Sequence, residues 1–87
     1  MWTDEEIKGK VLHKLTRMGK FEHSHTAIEN LQKGFPKDIV GRAKEMIKEL
    51  KKEGILKSKP TVSGEHTSIN LDKKDKVMEY IEIFLKK

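Results

Sequence analysis

Cysteine is absent from this chain of 87 residues. Its absence excludes disulfides, thiolate nucleophiles and zinc knuckles, so stability has to come from packing. Only five residues are aromatic, one tryptophan, one tyrosine and three phenylalanines. So few, mostly at core positions, argue against a surface that stacks single-stranded bases. No apolar run approaches the roughly 20 residues of a membrane span. The start, Met1-Trp-Thr-Asp-Glu-Glu6, is acidic and helix-forming, unlike a secretory leader, so a soluble cytoplasmic protein is the default expectation. There is no Gly-rich phosphate loop, and Ser63 and His66 lie close in sequence without an oxyanion hole or a buried orienting acid. Neither an enzyme nor a small-molecule substrate or cofactor is therefore expected. The four histidines, His13, His23, His25 and His66, lack the companions a three- or four-ligand metal site needs.

What the chain has is charge in an ordered pattern. Charged residues make up 38% of it and apolar residues 34%, with a net charge of +5, and the excess is localised. Residues 36–60 carry eight basic and four acidic side chains, whereas residues 61–87 carry five of each. A basic stripe confined to one segment is the electrostatic footprint of a nucleic-acid binder, although a solvated lysine-rich helix has the same composition. One domain with a single modest core fits this length.

The punctuation divides the chain into helices over about 4–18, 27–33, 36–53 and 73–86, with strands over about 55–59 and 66–71. Thr3 and Glu6 have capping-box spacing, and Ile7, Val11, Leu15 and Met18 form the apolar stripe that follows. Thr26 and Glu29 repeat the capping-box spacing before a short second helix closed by Gly34. Pro36 suits the first turn of the third helix. Two helices joined so tightly must cross steeply, as in a helix-turn-helix. At roughly 100° per residue, Ile39, Val40, Ala43, Met46, Ile47 and Leu50 share one face of the third helix. Lys37, Gly41, Lys44, Lys48, Lys51 and Lys52 occupy the opposite face, and Asp38, Arg42, Glu45, Glu49 and Glu53 lie along a flank. Gly54 ends the helix. A hairpin follows with its turn over Pro60–Glu65, and Asp72 is placed to cap the last helix.

This order of elements predicts an α+β, mostly helical fold of the winged helix-turn-helix kind. At residue level the chain resembles small archaeal winged-helix proteins of the transcriptional-regulator type. The resemblance is carried by His25-Thr-Ala-Ile-Glu-Asn-Leu31 with Gly34-Phe-Pro-Lys37, by Leu50-Lys-Lys-Glu-Gly54-Ile-Leu56, and by Gly64-Glu-His-Thr-Ser-Ile-Asn70. It implies double-stranded DNA as partner, with the third helix in the major groove and the 57–66 wing on the backbone. It also implies transcription regulation and a tendency to form homodimers. The alternative reading is a protein-interaction module on the same scaffold within a larger complex.

Candidate contacts follow from that docking geometry. Lys37, Arg42, Lys44, Glu45 and Lys48 are the long side chains in the exposed N-terminal half of the helix. Arg42 matches the paired acceptors of guanine, or else pairs with Asp38 or Glu45. Gly41 admits either a DNA backbone or a neighbouring helix at close range. Ser24, His25 and Thr26 lie where the second helix begins, with capping as the competing role for Thr26. On the wing, Lys57, Lys59, Ser63, Gly64 and His66 are the backbone contacts, or simply a solvated turn. Met78, Tyr80, Ile83 and Leu85 widen the apolar surface of the last helix and suggest a dimer interface.

Overall fold

The computed structural model covers residues 1–87 and has an α+β fold of four helices and a three-stranded antiparallel sheet. Helix α1 spans Asp4–Arg17. Its start is the expected capping box: Glu6 N–H donates to Thr3 Oγ1 at 3.2 Å, and Thr3 N–H donates to the Glu6 carboxylate at 2.8 Å. Acidic residues fill the first turn, and Lys14 and Arg17 the last, which complements the helix dipole at both ends.

Strand β1 (Thr26–Ala27) and helix α2 (Glu29–Gln32) follow a loop. Here the expectation of a capping box at Thr26 fails. Thr26 is only 6% exposed and pairs with Thr67 in the sheet. Its hydroxyl accepts a hydrogen bond from Asn30 at 2.9 Å, and α2 has no side-chain cap. The local spacing favoured a cap, but a strand pairing with residues forty positions away claimed the segment.

Helix α3 spans Val40–Lys52, not the expected 36–53. Phe35 and Ile39 are both buried in the core. Between them the backbone makes a turn closed by Ile39 N–H donating to the Pro36 carbonyl at 2.9 Å. Pro36 therefore starts a turn that leads into the helix. Gly54, with φ +76°, ends α3 in the left-handed conformation that glycine adopts without strain.

Strands β2 (Leu56–Thr61) and β3 (Gly64–Ile69) form a hairpin with a tip of only Val62 and Ser63, tighter than expected. Pro60 lies inside β2, where it is tolerated because β2 is an edge strand and β3 is central. The last helix, α4, spans Lys74–Leu85 after a 3-10 turn over Leu71–Lys73. Asn70, not Asp72, caps that turn by accepting from the Asp72 N–H at 3.0 Å.

The core joins the inner faces of α1, α3 and α4 to Leu31 and the base of the sheet, with Val11, Leu12, Leu15, Ala43, Leu50 and Ile69 fully buried. Two residues of α1 set how its neighbours pack. A Cβ on Gly9 would lie 2.1 Å from the Tyr80 carbonyl oxygen and 2.7 Å from Phe84 Cβ, so α4 crosses α1 at a point only glycine allows. Lys8, 8% exposed, sends its ammonium to Glu53 (2.9 Å) and Glu49 (3.1 Å) on α3. Burial pulls that ammonium down, but the hydrogen bonds to Glu53 and Glu49 more than offset it and hold it above the ordinary lysine range. Trp2 packs between Phe35 and Phe84, with ring centroids 5.7 and 6.3 Å away.

Candidate nucleic-acid interface

The exposed side of α3 is built by helical geometry: Ala43, Met46, Ile47 and Leu50 point into the core, so Gly41, Lys44, Lys48 and Lys52 face out. Gly41, Lys44, Glu45 and Lys48 line a groove of about 380 Å³ that is completed by Ile28, Gln32, Ile47, Lys51 and Glu65. A Cβ on Gly41 would meet nothing within 4 Å. Packing against another helix, one of its two expected roles, is therefore not the reason for glycine here. Lys37 is exposed on the turn before α3.

Much of the remaining charge on and around α3 is engaged within the molecule. Arg42 donates to the Asp4 carboxylate at 2.7 Å and to the Trp2 carbonyl at 2.9 Å. Its expected ion-pair partners, Asp38 and Glu45, are not the ones it uses. The acids on the α1 side, Glu49 and Glu53, hold Lys8. Lys51 binds Glu65 of β3 at 2.5 Å, and Ser58 adds its hydroxyl to the same carboxylate. The Lys51 and Ser58 hydrogen bonds hold Glu65 below the usual carboxylate range. Lys44, Lys48 and Lys52 have no ion pair. Arg42, Glu49 and Glu53 thus tie α3 to the N-terminal residues and α1, Lys51 ties it to the hairpin, and Lys44, Lys48 and Lys52 stay unpaired between them.

The hairpin residues do not all join that ridge. Along β3 side chains alternate between faces: Glu65 reaches Lys51 of α3, while His66 and Ser68 project from the other side. On that outer face His25, His66, Lys57 and Lys59 line a polar concavity of about 390 Å³ together with Glu22, His23, Ser58 and Ser68. His25 Nδ1 lies 2.8 Å from His66 Nδ1, and Lys57 is paired with Glu22 at 2.5 Å. Desolvation, then the charges of His66, Lys59 and Lys20, hold the His25 ring below the usual histidine range. No group of three or more His, Asp or Glu side chains is arranged to hold a metal ion. Ser24 is exposed beside this region, Ser63 and Gly64 sit at the hairpin tip, and Thr26 is buried.

The sequence-level candidates therefore fall on two separate surfaces. Gly41, Lys44, Glu45 and Lys48 come together, and His25, Lys57, Lys59 and His66 form another group across the sheet. Compared with protein-family models, curated proteins and solved structures, the chain matches none.

Two features went unread in the sequence. Lys10, His13, Lys14 and Arg17 line a groove of about 710 Å³ with Lys33 and Phe84. Their spacing along one face of α1 was the available signal. Gln32 of α2 joins the α3 groove, which only the crossing of the two helices determines. On α4, Met78 is 56% exposed and Leu85 61%, and they share one flank. Ile83 lies on another side of the helix, and Tyr80 is half-buried with its hydroxyl donating to Glu53 at 2.9 Å. Tyr80 therefore belongs to the interior contact with α3, and the four candidates do not make one interface.

Proposed function

We propose that the protein is a winged helix-turn-helix factor that binds duplex DNA through the outer ridge of α3. Its supporting observation is the unpaired state of Lys44, Lys48 and Lys52 beside the open backbone at Gly41, while Arg42, Lys51 and Lys57 are held by carboxylates. A lysine ridge with no intramolecular partner releases counterions when a polyanion replaces them, and a glycine gap lets a phosphate backbone approach. The tight connection between α2 and α3 and the hairpin after α3 are in the order such a factor needs.

In this reading Lys37, Lys44, Lys48 and Lys52 contact phosphates, and Gln32 and Glu45 border the groove. Arg42 holds α1 and is not a base-reading residue. Thr26 is structural. The hairpin contributes through its tip, Val62 and Ser63, and the adjoining Gly64. Regulation of transcription is the role this activity would serve, and α4 offers Met78 and Leu85 as the seat of a homodimer.

Fluorescence-anisotropy titration of labelled duplex at two salt concentrations, with single strand as competitor, tests the proposal. If about five phosphates are neutralised, log K falls with log salt at a slope of roughly −4 to −5. The double variant Lys44→Ala, Lys48→Ala flattens that slope by about 2 without loss of stability beyond about 0.5 kcal/mol. Association that ignores salt, or equal preference for single strand, contradicts it.

A further inference from the structure

The concavity on the outer face of the sheet is not part of the α3 ridge, because Glu65 and His66 project from opposite faces of β3. We propose that His25, His66 and Lys59 form a site for a dianionic terminal phosphate, and that the dianion binds together with a proton. This goes beyond the duplex-binding reading and does not depend on it.

The concavity carries an excess of positive charge. Its lining has no apolar side chain, and its single carboxylate, Glu22, is already paired with Lys57. Lys59 has no ion-pair partner. The groups that face the ring pair are Lys20, Glu22 and His23 from the loop before β1, and Lys57 and Lys59 from β2. Taken together they leave an unneutralised positive field. At about 390 Å³ the space accommodates a phosphate group with room for its substituent.

The ring pair supplies the proton coupling. With Nδ1 atoms 2.8 Å apart, one nitrogen donates and the other must accept, so the pair cannot hold a proton on both facing nitrogens. A dianion placed between the rings supplies the acceptor for both. Each ring then donates an Nδ1–H to a phosphate oxygen in place of the ring-to-ring hydrogen bond; the ring that had accepted keeps its Nε2–H and takes one proton from solvent on Nδ1, because two negative charges beside it favour the imidazolium over a neutral tautomer. In the free protein desolvation, then His66, Lys59 and Lys20, hold the His25 ring below the usual histidine range, and a bound dianion opposes these causes by neutralising the positive field around the ring. A terminal phosphate carries up to two charges, whereas the diester links of a nucleic-acid backbone carry one each.

The test uses the full chain and two probes, inorganic phosphate and sulfate. Sulfate stays dianionic across the neutral range, so any proton taken up belongs to the protein. Histidine ring signals followed by NMR should shift at His25 and His66 on addition of either anion. Calorimetry in buffers of different ionisation enthalpy should show about one proton taken up per sulfate, and sulfate affinity should fall about tenfold per pH unit once the pair titrates. Lys59→Ala should weaken sulfate about tenfold and keep the pH dependence. His25→Gln should abolish the pH dependence. Lys59 is exposed, so the first variant remains informative if the second does not fold. A nucleoside 5′-monophosphate binding more tightly than inorganic phosphate assigns the site to a nucleotide end, and equal affinity assigns it to the free anion. Binding of sulfate without proton uptake, or silent His25 and His66 rings, overturns the proposal. So does a 5′-hydroxyl duplex that shifts these rings as strongly as phosphate. Lys44→Ala, Lys48→Ala should leave sulfate binding unchanged, so failure of the duplex reading and failure of this one are separable.

Discussion

Substituting alanine at Gly9 and at Gly41 makes the same chemical change in two helices with opposite expected outcomes. Glycine inside a helix is less favourable than alanine by about 0.8–1.0 kcal/mol, so both substitutions start with a gain. At Gly41 nothing opposes it, since the new methyl meets no atom within 4 Å. The position is in the first turn of α3, where the gain is smaller, so Gly41→Ala should add about 0.5 kcal/mol and raise Tm by roughly 2–4 °C. At Gly9 the methyl starts 2.1 Å from the Tyr80 carbonyl oxygen, and ordinary contact begins near 3.4 Å. A backbone oxygen inside α4 cannot rotate away as a side chain would, so α1 and α4 must separate by more than an ångström along their contact. Overpacking of this kind costs about 1–3 kcal/mol, and the parted helices also loosen contacts in the core. Gly9→Ala should therefore lose about 1–2 kcal/mol net and lower Tm by roughly 5–10 °C. Urea and thermal unfolding followed by circular dichroism measure both. In a duplex titration Gly41→Ala, although more stable, should bind several-fold more weakly because the methyl occupies the gap in the lysine ridge. A Gly9→Ala protein as stable as the parent, or a Gly41→Ala protein that is destabilised, refutes the packing argument.

Other expectations concern the interior and its charges. Lys8→Ala removes the buried ammonium shared by Glu49 and Glu53. It should cost about 2–3 kcal/mol in urea denaturation, below the 3–5 of a fully buried pair because both acids reach solvent. Thr67→Val deletes a buried hydroxyl that has no hydrogen-bond partner and should stabilise by about 1 kcal/mol in the same assay. Glu53 and Glu65 have folded pKa values below their ordinary range. Desolvation at Glu53 is outweighed by hydrogen bonds from Lys8 and Tyr80, and Glu65 is held by Lys51 and Ser58. The stability they contribute is complete above the ordinary glutamate range and is lost as pH falls through the depressed values. An acid titration should therefore show the unfolding free energy declining below that range, with Glu65→Gln flattening part of the decline.

How legible a feature was in the sequence depended on how local its cause is. The α1 cap was readable because Thr3 and Glu6 satisfy each other within one turn, and Gly54 because a left-handed stop is a property of its own backbone. The inward face of α3 was readable from periodicity. Its start was misread because Phe35 and Ile39, not Pro36, decide where the chain enters the core. Thr26 was misread for a related reason: its partner, Thr67, is remote, and pairing overrode a good local cap. Among the candidate site residues, the lysines of α3 were legible through the wheel alone. The division of the candidates into two surfaces was not, because it depends on which face of β3 carries His66. Nor could spacing reveal that Asp4 occupies Arg42, or that Gly9 fixes the crossing of α1 and α4. In both cases the partner is contributed by a distant part of the chain.

Whether duplex DNA docks on the α3 ridge can be read from backbone amide shifts as a short duplex is titrated into labelled protein. The largest changes are expected at Lys37, Gly41, Lys44 and Lys48 and at the hairpin tip, with Arg42 and the α4 flank of Met78 and Leu85 little affected. Shifts concentrated on α4 or on the Lys10–Arg17 groove, with the α3 ridge silent, would contradict that docking.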